Sequence, residues 1–105
     1  MPNPRILIVE DNVLVGHAVR DMLIESGYEA EVAETGKAAD KLIKTGRFNV
    51  ALLDMVLPDT SGKKLLKAWE KYAELRIIVM TAYGEVNTAV DCLKNGASEF
   101  LVKPV

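Results

Sequence analysis

The chain has 105 residues, of which 50% are hydrophobic and 27% charged, and its formal net charge is -2. This length suits one domain spanning residues 1–105. Because the charge shows no basic excess, direct contact with nucleic acid is not expected. A single cysteine excludes an internal disulfide, the N-terminus has no signal-peptide pattern, and the apolar runs are far shorter than the roughly 20 residues of a membrane span. We therefore expect a cytoplasmic protein that does not contact the membrane.

Five short segments have the composition of β-strands. Three are continuous apolar runs, typical of strands buried on both faces of a parallel sheet, at residues 6–9, 50–53 and 77–80. Residues 28–33 alternate polar and apolar side chains, which indicates a half-covered edge strand. Residues 100–102 form the last predicted strand.

Apolar residues with helical spacing occupy the intervals between these strands. The apolar positions of the four predicted helices are Val15, Ala18, Val19, Met22 and Leu23; Ala38, Ala39, Leu42 and Ile43; Leu65, Leu66 and Trp69; and Val86, Ala89, Val90 and Leu93. Gly27 and Gly46 end the first two helices. Strict alternation of strand and helix predicts right-handed crossovers, with the apolar strands inside the sheet. We therefore predict a flavodoxin-like, doubly wound α/β fold whose parallel five-stranded sheet has the order 2-1-3-4-5.

Polar side chains follow four of the predicted strands at their carboxyl ends. They are Glu10, Asp11, Asp54, Thr81 and Lys103. Because parallel strands end at the same edge of a sheet, these side chains should gather in one crevice. Neighbouring carboxylates repel one another and require a cation, and oxygen ligands favour Mg²⁺. Asp54 would then be a nucleophile that forms an acyl phosphate, with Lys103 and Thr81 binding phosphoryl oxygens.

Four short motifs also occur here in a fixed order. They are IVED at 8–11, LLDMVLPDTSG at 52–62, MTA at 80–82 and KP at 103–104. Each is weak alone, but together and at this spacing the whole chain resembles a receiver domain of bacterial two-component response regulators. The segment from 80 to 104 is more narrowly similar to the nitrogen-regulator (NtrC-like) class of transcriptional activators.

This resemblance implies a phosphoacceptor beside a magnesium ion. Asp54 matches the phosphoacceptor, Asp11 a direct Mg²⁺ ligand and Glu10 the second acidic position of the family. The backbone carbonyl of Val56 matches a further metal ligand. The metal set implied by the resemblance is therefore Glu10, Asp11, Asp54 and Val56.

The resemblance also implies a conformational switch. Thr81 matches the switch hydroxyl, Lys103 the phosphate-binding lysine, and Phe100 the aromatic residue that turns inward when the hydroxyl moves. A sensor histidine kinase or histidine phosphotransfer protein would donate the phosphoryl group, and an output domain, expected to be transcriptional, would receive the signal. The domain would not be an enzyme in the ordinary sense, although it would assist its own phosphorylation and dephosphorylation.

Other interpretations remain open at this point. Asp54 could simply cap a turn before Pro58, and Glu10 or Asp11 could cap the first helix. The chain could be an aspartyl-phosphate phosphatase, although such enzymes usually carry a D-x-D motif after the first strand, where this sequence has Glu-Asp. A third alternative is an interaction module of the same fold that works without phosphorylation.

The sequence stops at Val105, before the fifth helix that the resemblance implies. We therefore expect a receiver domain truncated before that helix, with strands 1, 3 and 5 partly uncovered on one face. Either the sequence is a trimmed piece of a longer regulator, or a second copy covers the bare face and forms a homodimer.

Overall fold

The computed structural model describes residues 4–54, 57–81 and 99–102, of which Thr81 and 99–102 are described as backbone only. The strands of this part of the chain are β1 (Arg5–Val9), β2 (Glu29–Ala33), β3 (Val50–Asp54), β4 (Arg76–Thr81) and β5 (Glu99–Val102). Its helices are α1 (Val13–Glu25), α2 (Gly36–Ile43) and α3 (Gly62–Trp69). The fourth predicted helix lies outside the described residues.

The strands form one parallel sheet in the order β2-β1-β3-β4-β5, as predicted. β3 lies at its centre, where Leu53 pairs in register with Val9 of β1 and with Val79 of β4. The last residue of β3, Asp54, lies opposite Met80. The carboxyl ends of β1, β3 and β4 are therefore neighbours along one edge of the sheet.

Alternate residues of the central strands supply two separate hydrophobic clusters, because successive side chains point to opposite faces of a sheet. The larger cluster joins one face of the sheet to α2 and α3 and contains Leu7, Val9, Ala39, Ile43, Ala51, Leu53, Leu65, Leu66, Trp69 and Val79 among others. On the opposite face, Ile6, Ile8, Leu52 and Met80 form the smaller cluster with partly buried Val19 and Leu23 of α1. The described helices thus cover both faces of the sheet.

Each described helix begins at a polar residue that caps its own first turn. The side-chain oxygens of Asn12, Thr35 and Ser61 accept hydrogen bonds from the backbone N–H three residues later, at 3.1, 3.1 and 3.2 Å. After α1 and α2 the chain reverses at Gly27 and Gly46, which have φ angles of 94° and 76°. Left-handed φ values favour glycine, so the predicted helix ends are confirmed.

A buried tryptophan connects α2 and α3. Trp69 is only 1% exposed, and its Nε1–H donates to Asp40 Oδ1 at 3.0 Å. Lys44 Nζ lies 3.0 Å from the other oxygen of the same carboxylate. The Trp69 hydrogen bond first, and Lys44 second, hold the pKa of Asp40 below its ordinary value.

The apolar stripe predicted for α1 is only partly correct. Val15 and Met22 are 39% and 61% exposed, whereas Gly16 is buried and Val19 and Leu23 pack on the sheet. At 3.6 residues per turn, the face that meets the sheet follows 16, 19 and 23, which places Val15 and Met22 on the flank of the helix.

The expectation that strands 1 and 3 would be partly uncovered is correct for Val50 of β3, which is only partly buried, and wrong for the apolar residues of the smaller cluster. Ile6, Ile8 and Leu52 are all buried, because this cluster also contains Met80 and packs against side chains of α1. The side chains of β5 lie outside the described residues. Among the described helices the longest has 13 residues, and none combines the length and apolar character of a membrane span.

Candidate functional site

Two adjacent carboxylates, Glu10 and Asp11, meet a third, Asp54, that is distant in sequence, at the carboxyl edge of the sheet. Oxygen atoms of Glu10, Asp11 and Asp54 all lie within 4.8 Å of one another. Glu10 and Asp54 are only 2% and 6% exposed, whereas Asp11 is exposed to solvent. We call this group the acidic cluster. It combines two buried carboxylates with one that solvent reaches.

The connection between β1 and α1 positions the first two acids. Asn12, not Asp11, caps α1, since its side chain accepts the N–H of Val15 at 3.1 Å. The alternative in which Glu10 or Asp11 caps this helix is therefore wrong, because Asn12 already occupies the capping position. The backbone N–H of Glu10 donates to the carbonyl of Ala33 at 3.0 Å, which fixes the connection beside the end of β2.

A close approach of α1 also shapes the surroundings of Glu10. A Cβ atom at Gly16 would lie 3.0 Å from Val32 Cγ1 and 3.7 Å from Glu10 Cβ. Contacts of 3.0 Å are shorter than normal packing distances, so glycine lets the first turn of α1 lie directly over β2 and the stem of Glu10. The helix thereby encloses this carboxylate.

The third acid is positioned by β3 and by the connection that follows it. Asp54 is the last residue of the strand and pairs in register with Met80. Leu57, three residues later, is buried in the larger cluster. Two positions farther on, Asp59 accepts hydrogen bonds from the backbone N–H groups of Gly36 and Lys37 at 2.8 and 3.0 Å. The connection after Asp54 is thus held both by the core and by α2.

Asp59 was not among the predicted site residues. The two N–H groups hold the pKa of its carboxyl below the ordinary value, with Gly36 the larger cause. Its partners lie 22 and 23 residues upstream, so no local spacing in the sequence indicates the contact. The sequence feature that could have drawn attention to Asp59 is its place two residues before Ser61, which caps α3.

The acidic cluster has the chemistry of a site for a hard divalent cation. At 4.8 Å, two ionised carboxylates repel by about 3 kcal/mol at an effective dielectric constant of 20. Carboxylate oxygens are the ligands that Mg²⁺ and Ca²⁺ take in proteins, and Mg²⁺ is typically held by one or two of them with water completing its shell. The residues present therefore fit the predicted metal, with Asp11 on the solvent side and Glu10 and Asp54 on the buried side.

The other predicted site residues are only partly described. Thr81 ends β4, and its backbone pairs in register with Val102 of β5. Phe100 lies in β5 opposite Val79. The carboxyl end of β4 therefore reaches the same sheet edge as the acidic cluster, as predicted. Val56 and Lys103 lie outside the described residues, so their assignments stay predictions.

A family model of the response regulator receiver domain matches residues 6–105 of the chain. The chain belongs to this family. The sequence resemblance to receiver domains is thereby confirmed, and the fold agrees with it. The receiver domain's narrower similarity to the nitrogen-regulator class is not decided by this match.

Individual relatives place the receiver domain among regulators of several kinds. It is 33% identical over 101 residues to the virulence transcriptional regulatory protein PhoP of Salmonella typhimurium, covering 95% of this chain and 45% of PhoP. It therefore spans about half the length of that curated relative. A CheY-like receiver domain protein from Methanospirillum hungatei superposes with a TM-score of 0.90 at 35% identity, covering 98% of this chain and 83% of that one. For the receiver domain of NtrX from Brucella abortus, the TM-score is 0.89 at 29% identity, with coverage of 95% and 86%.

Proposed function

We propose that this receiver domain accepts a phosphoryl group on Asp54 and thereby controls an output domain. The observation that carries the proposal is the acidic cluster, in which a buried aspartate at the end of the central strand lies within 4.8 Å of two other carboxylates. Asp54 is the last residue of β3, and its side chain is buried there. Its position is consistent with a nucleophile at the ligand-binding edge of a doubly wound sheet.

The donor we propose is a phosphohistidine of a sensor histidine kinase or a histidine phosphotransfer protein. A carboxylate oxygen of Asp54 attacks phosphorus, a P–O bond forms as the P–N bond breaks, and the electron pair of the broken bond returns to the imidazole nitrogen. Hydrolysis later transfers the phosphoryl group from Asp54 to water and restores the carboxylate. The domain assists both steps by positioning the reacting carboxylate, and its partner's phosphohistidine is the substrate.

Glu10, Asp11 and Asp54 would hold a divalent cation, for which we propose Mg²⁺, together with the carbonyl of Val56. When bound, this ion supplies positive charge that offsets the carboxylates and the oxygens of an incoming phosphoryl group. Burial of Glu10 keeps its carboxylate fixed by the surrounding strands, whereas exposed Asp11 lies where a ligand arrives from solvent.

The switch residues of the proposal are Thr81, Lys103 and Phe100. Lys103 would bind phosphoryl oxygens, the hydroxyl of Thr81 would move toward them, and Phe100 would turn inward in response. Support comes from the family membership and from the place of Thr81 at the end of β4, next to β3 in the sheet. Their side-chain roles are expectations from the resemblance.

We propose a transcriptional output domain in the parent protein, with no direct nucleic-acid contact by the receiver domain itself. The name of PhoP, a transcriptional regulatory protein of which this chain matches 45%, supports this output. The nitrogen-regulator class is our narrower proposal, supported by the segment from 80 to 104 and by the likeness to NtrX. The cytoplasmic location and the homodimer stay predictions.

Incubation with acetyl phosphate and Mg²⁺ followed by intact-protein mass spectrometry tests the phosphoacceptor directly. We expect one added phosphoryl group in the wild type and none in Asp54→Ala. Asp21→Ala is a matched control, because Asp21 is an exposed carboxylate on α1 and should leave labelling unchanged. Chelation of divalent cations with EDTA should abolish labelling of the wild type.

Equal labelling of the wild type and Asp54→Ala would contradict the assignment of the phosphoacceptor. Turnover of a small phosphate ester would instead favour a phosphatase. A separate experiment on the parent protein tests the phosphorylation-independent interaction module. If the domain is such a module, Asp54→Asn should leave partner binding and output unchanged, both with and without the phosphodonor.

A further inference from the structure

A single carboxylate joins the connection after Asp54 to a helix that is distant in sequence. Asp59 Oδ1 accepts the N–H of Gly36 at 2.8 Å, and Oδ2 accepts the N–H of Lys37 at 3.0 Å. Hydrogen bonds to an ionised acceptor are stronger than neutral ones, and the first turn of a helix carries a partial positive charge. Both oxygens of Asp59 are therefore engaged in holding the β3–α3 connection on α2.

The helix itself does not need this carboxylate as a cap. Thr35 already caps α2, since its Oγ1 accepts the N–H of Ala38 at 3.1 Å. Asp59 binds two other N–H groups of the first turn, which water satisfies at most exposed helix ends. The contact thus fixes the β3–α3 connection on a helix that already has its own cap.

Close packing accompanies these hydrogen bonds. A Cβ atom at Gly36 would lie 2.2 Å from Thr60 Cγ2, 3.3 Å from Asp59 Oδ1 and 3.4 Å from Leu65 Cδ1. The connection therefore lies directly against the first residue of α2, at a distance that only glycine permits. Hydrogen bonding and packing independently place residues 59 and 60 on this helix.

The connection leading into α2 contacts the other part of the acidic cluster as well. Ala33, the last residue of β2, accepts the N–H of Glu10 at 3.0 Å, and Gly36 follows only three residues later. Residues 33–37 therefore contact both connections. Ala33 binds the β1–α1 connection at Glu10, and Gly36 and Lys37 bind the β3–α3 connection at Asp59.

We propose that Asp59 is a positioning residue that sets the spacing of the acidic cluster for a divalent cation. The inference rests on the proposed function and extends it to a residue that is not itself among the clustered carboxylates. Removing the carboxylate would release the β3–α3 connection from α2. The sheet alone would then set the position of Asp54 relative to Glu10. Groups that hydrogen-bond directly to metal ligands typically change metal affinity by about 10-fold to 100-fold when substituted, and Asp59, which acts on Asp54 through the connection, should have an effect at the low end of that range.

The test compares Mg²⁺ dissociation constants, measured by amide-shift titration in NMR spectra, for the wild type and three variants. Asp59→Ala should raise the dissociation constant about 10-fold. Asp59→Asn should raise it less, because the amide oxygen still accepts from Gly36 while its NH₂ group cannot accept from Lys37. Asp40→Asn is the matched control, since it removes a carboxylate of α2 whose partners are Trp69 and Lys44 and not the β3–α3 connection, and it should keep the wild-type value.

Metal-free spectra give a second readout that is independent of Mg²⁺. In Asp59→Ala the amides of Gly36 and Lys37 should exchange faster with solvent, because their acceptor is gone, while that of Ala38 should stay protected. If Asp59→Ala does not fold, Asp59→Asn carries the comparison. Faster exchange together with raised dissociation constants would support the positioning role.

An Asp59 variant with the wild-type dissociation constant, or a shift equal to that of Asp40→Asn, would overturn this proposal alone. Wild-type protein that binds Mg²⁺ but is not labelled by acetyl phosphate would instead contradict the proposed function and leave the positioning role standing. Wild-type protein that binds no Mg²⁺ would overturn both.

Discussion

The contact between α2 and the β3–α3 connection predicts that Gly36→Ala destabilises the fold. The new methyl group would lie 2.2 Å from Thr60 Cγ2, more than 1 Å closer than the roughly 3.5 Å at which carbon atoms normally meet. Thr60 would have to change rotamer, or the connection would have to move away from the helix. β-Branched side chains have few alternative rotamers, so part of the strain should remain.

Two opposing effects decide the magnitude for Gly36→Ala. Overpacking typically costs about 1 to 3 kcal/mol, whereas alanine in a helix gains at most about 1 kcal/mol over glycine. Overpacking should exceed the gain, because displacement of Thr60 also disturbs the hydrogen bonds of Asp59 to the same turn. We expect a net loss of about 1 kcal/mol or more in the free energy of unfolding.

Urea unfolding followed by the fluorescence of Trp69 measures this loss, because Trp69 is the only tryptophan and is buried between α2 and α3. Thr60→Ser removes Cγ2 and keeps the hydroxyl, so it completes a double-mutant cycle with Gly36→Ala. In the Thr60→Ser background the alanine should be tolerated better. Equal or greater stability of Gly36→Ala, or the same loss in both backgrounds, would refute the close approach.

Two further predictions concern Asp40 and the start of α1. Because the pKa of Asp40 is below its ordinary value of 3.8 in the folded protein, the stability it contributes is present above that value and is lost as the pH falls through the lower folded pKa. In urea unfolding at pH 5 and below, stability should therefore fall less in Asp40→Asn than in the wild type, and an equal fall would contradict the coupling to Trp69 and Lys44. Asn12→Ala should lose about 1 kcal/mol in the same assay, whereas Asp11→Ala should lose less, since Asn12 is the cap. A larger loss of stability in Asp11→Ala than in Asn12→Ala would show instead that Asp11 caps the helix.

The sheet could be predicted almost completely from the sequence because its central strands are apolar on both faces. Leu52 and Leu53 point to opposite faces and are both buried, which explains why a continuous apolar run marked β3. The pattern of α1 was less informative. Val15 and Met22 have the spacing of a buried stripe, yet they lie on a flank that the described residues leave exposed. Periodicity locates a helix without deciding how wide a face is covered.

The parallel topology predicted that the acidic residues of the candidate site would lie close together. The sequence did not predict the long-range hydrogen bonds around them. Because β1 and β3 are parallel neighbours, Glu10 and Asp54 must lie at the carboxyl ends of adjacent strands, at one edge of the sheet. The contact of Asp59 with α2 depends on how a connection folds back onto a helix more than 20 residues earlier. Neither composition nor spacing encodes that path. Sequence patterns therefore predicted the clustered carboxylates better than the residues that hold their surroundings in place.

The outer edge of β2 has a consequence for how copies of the domain meet. An exposed strand edge offers unpaired backbone groups to which a strand of another molecule can add. On β2, Glu29 and Glu31 are both exposed, and they pair with Arg5 at 2.6 Å and with Arg47 at 3.9 Å. Charged side chains on an edge strand oppose the addition of another strand, because pairing would crowd these glutamates and their arginine partners against a second edge. Any dimer of this domain should therefore form through a surface other than β2.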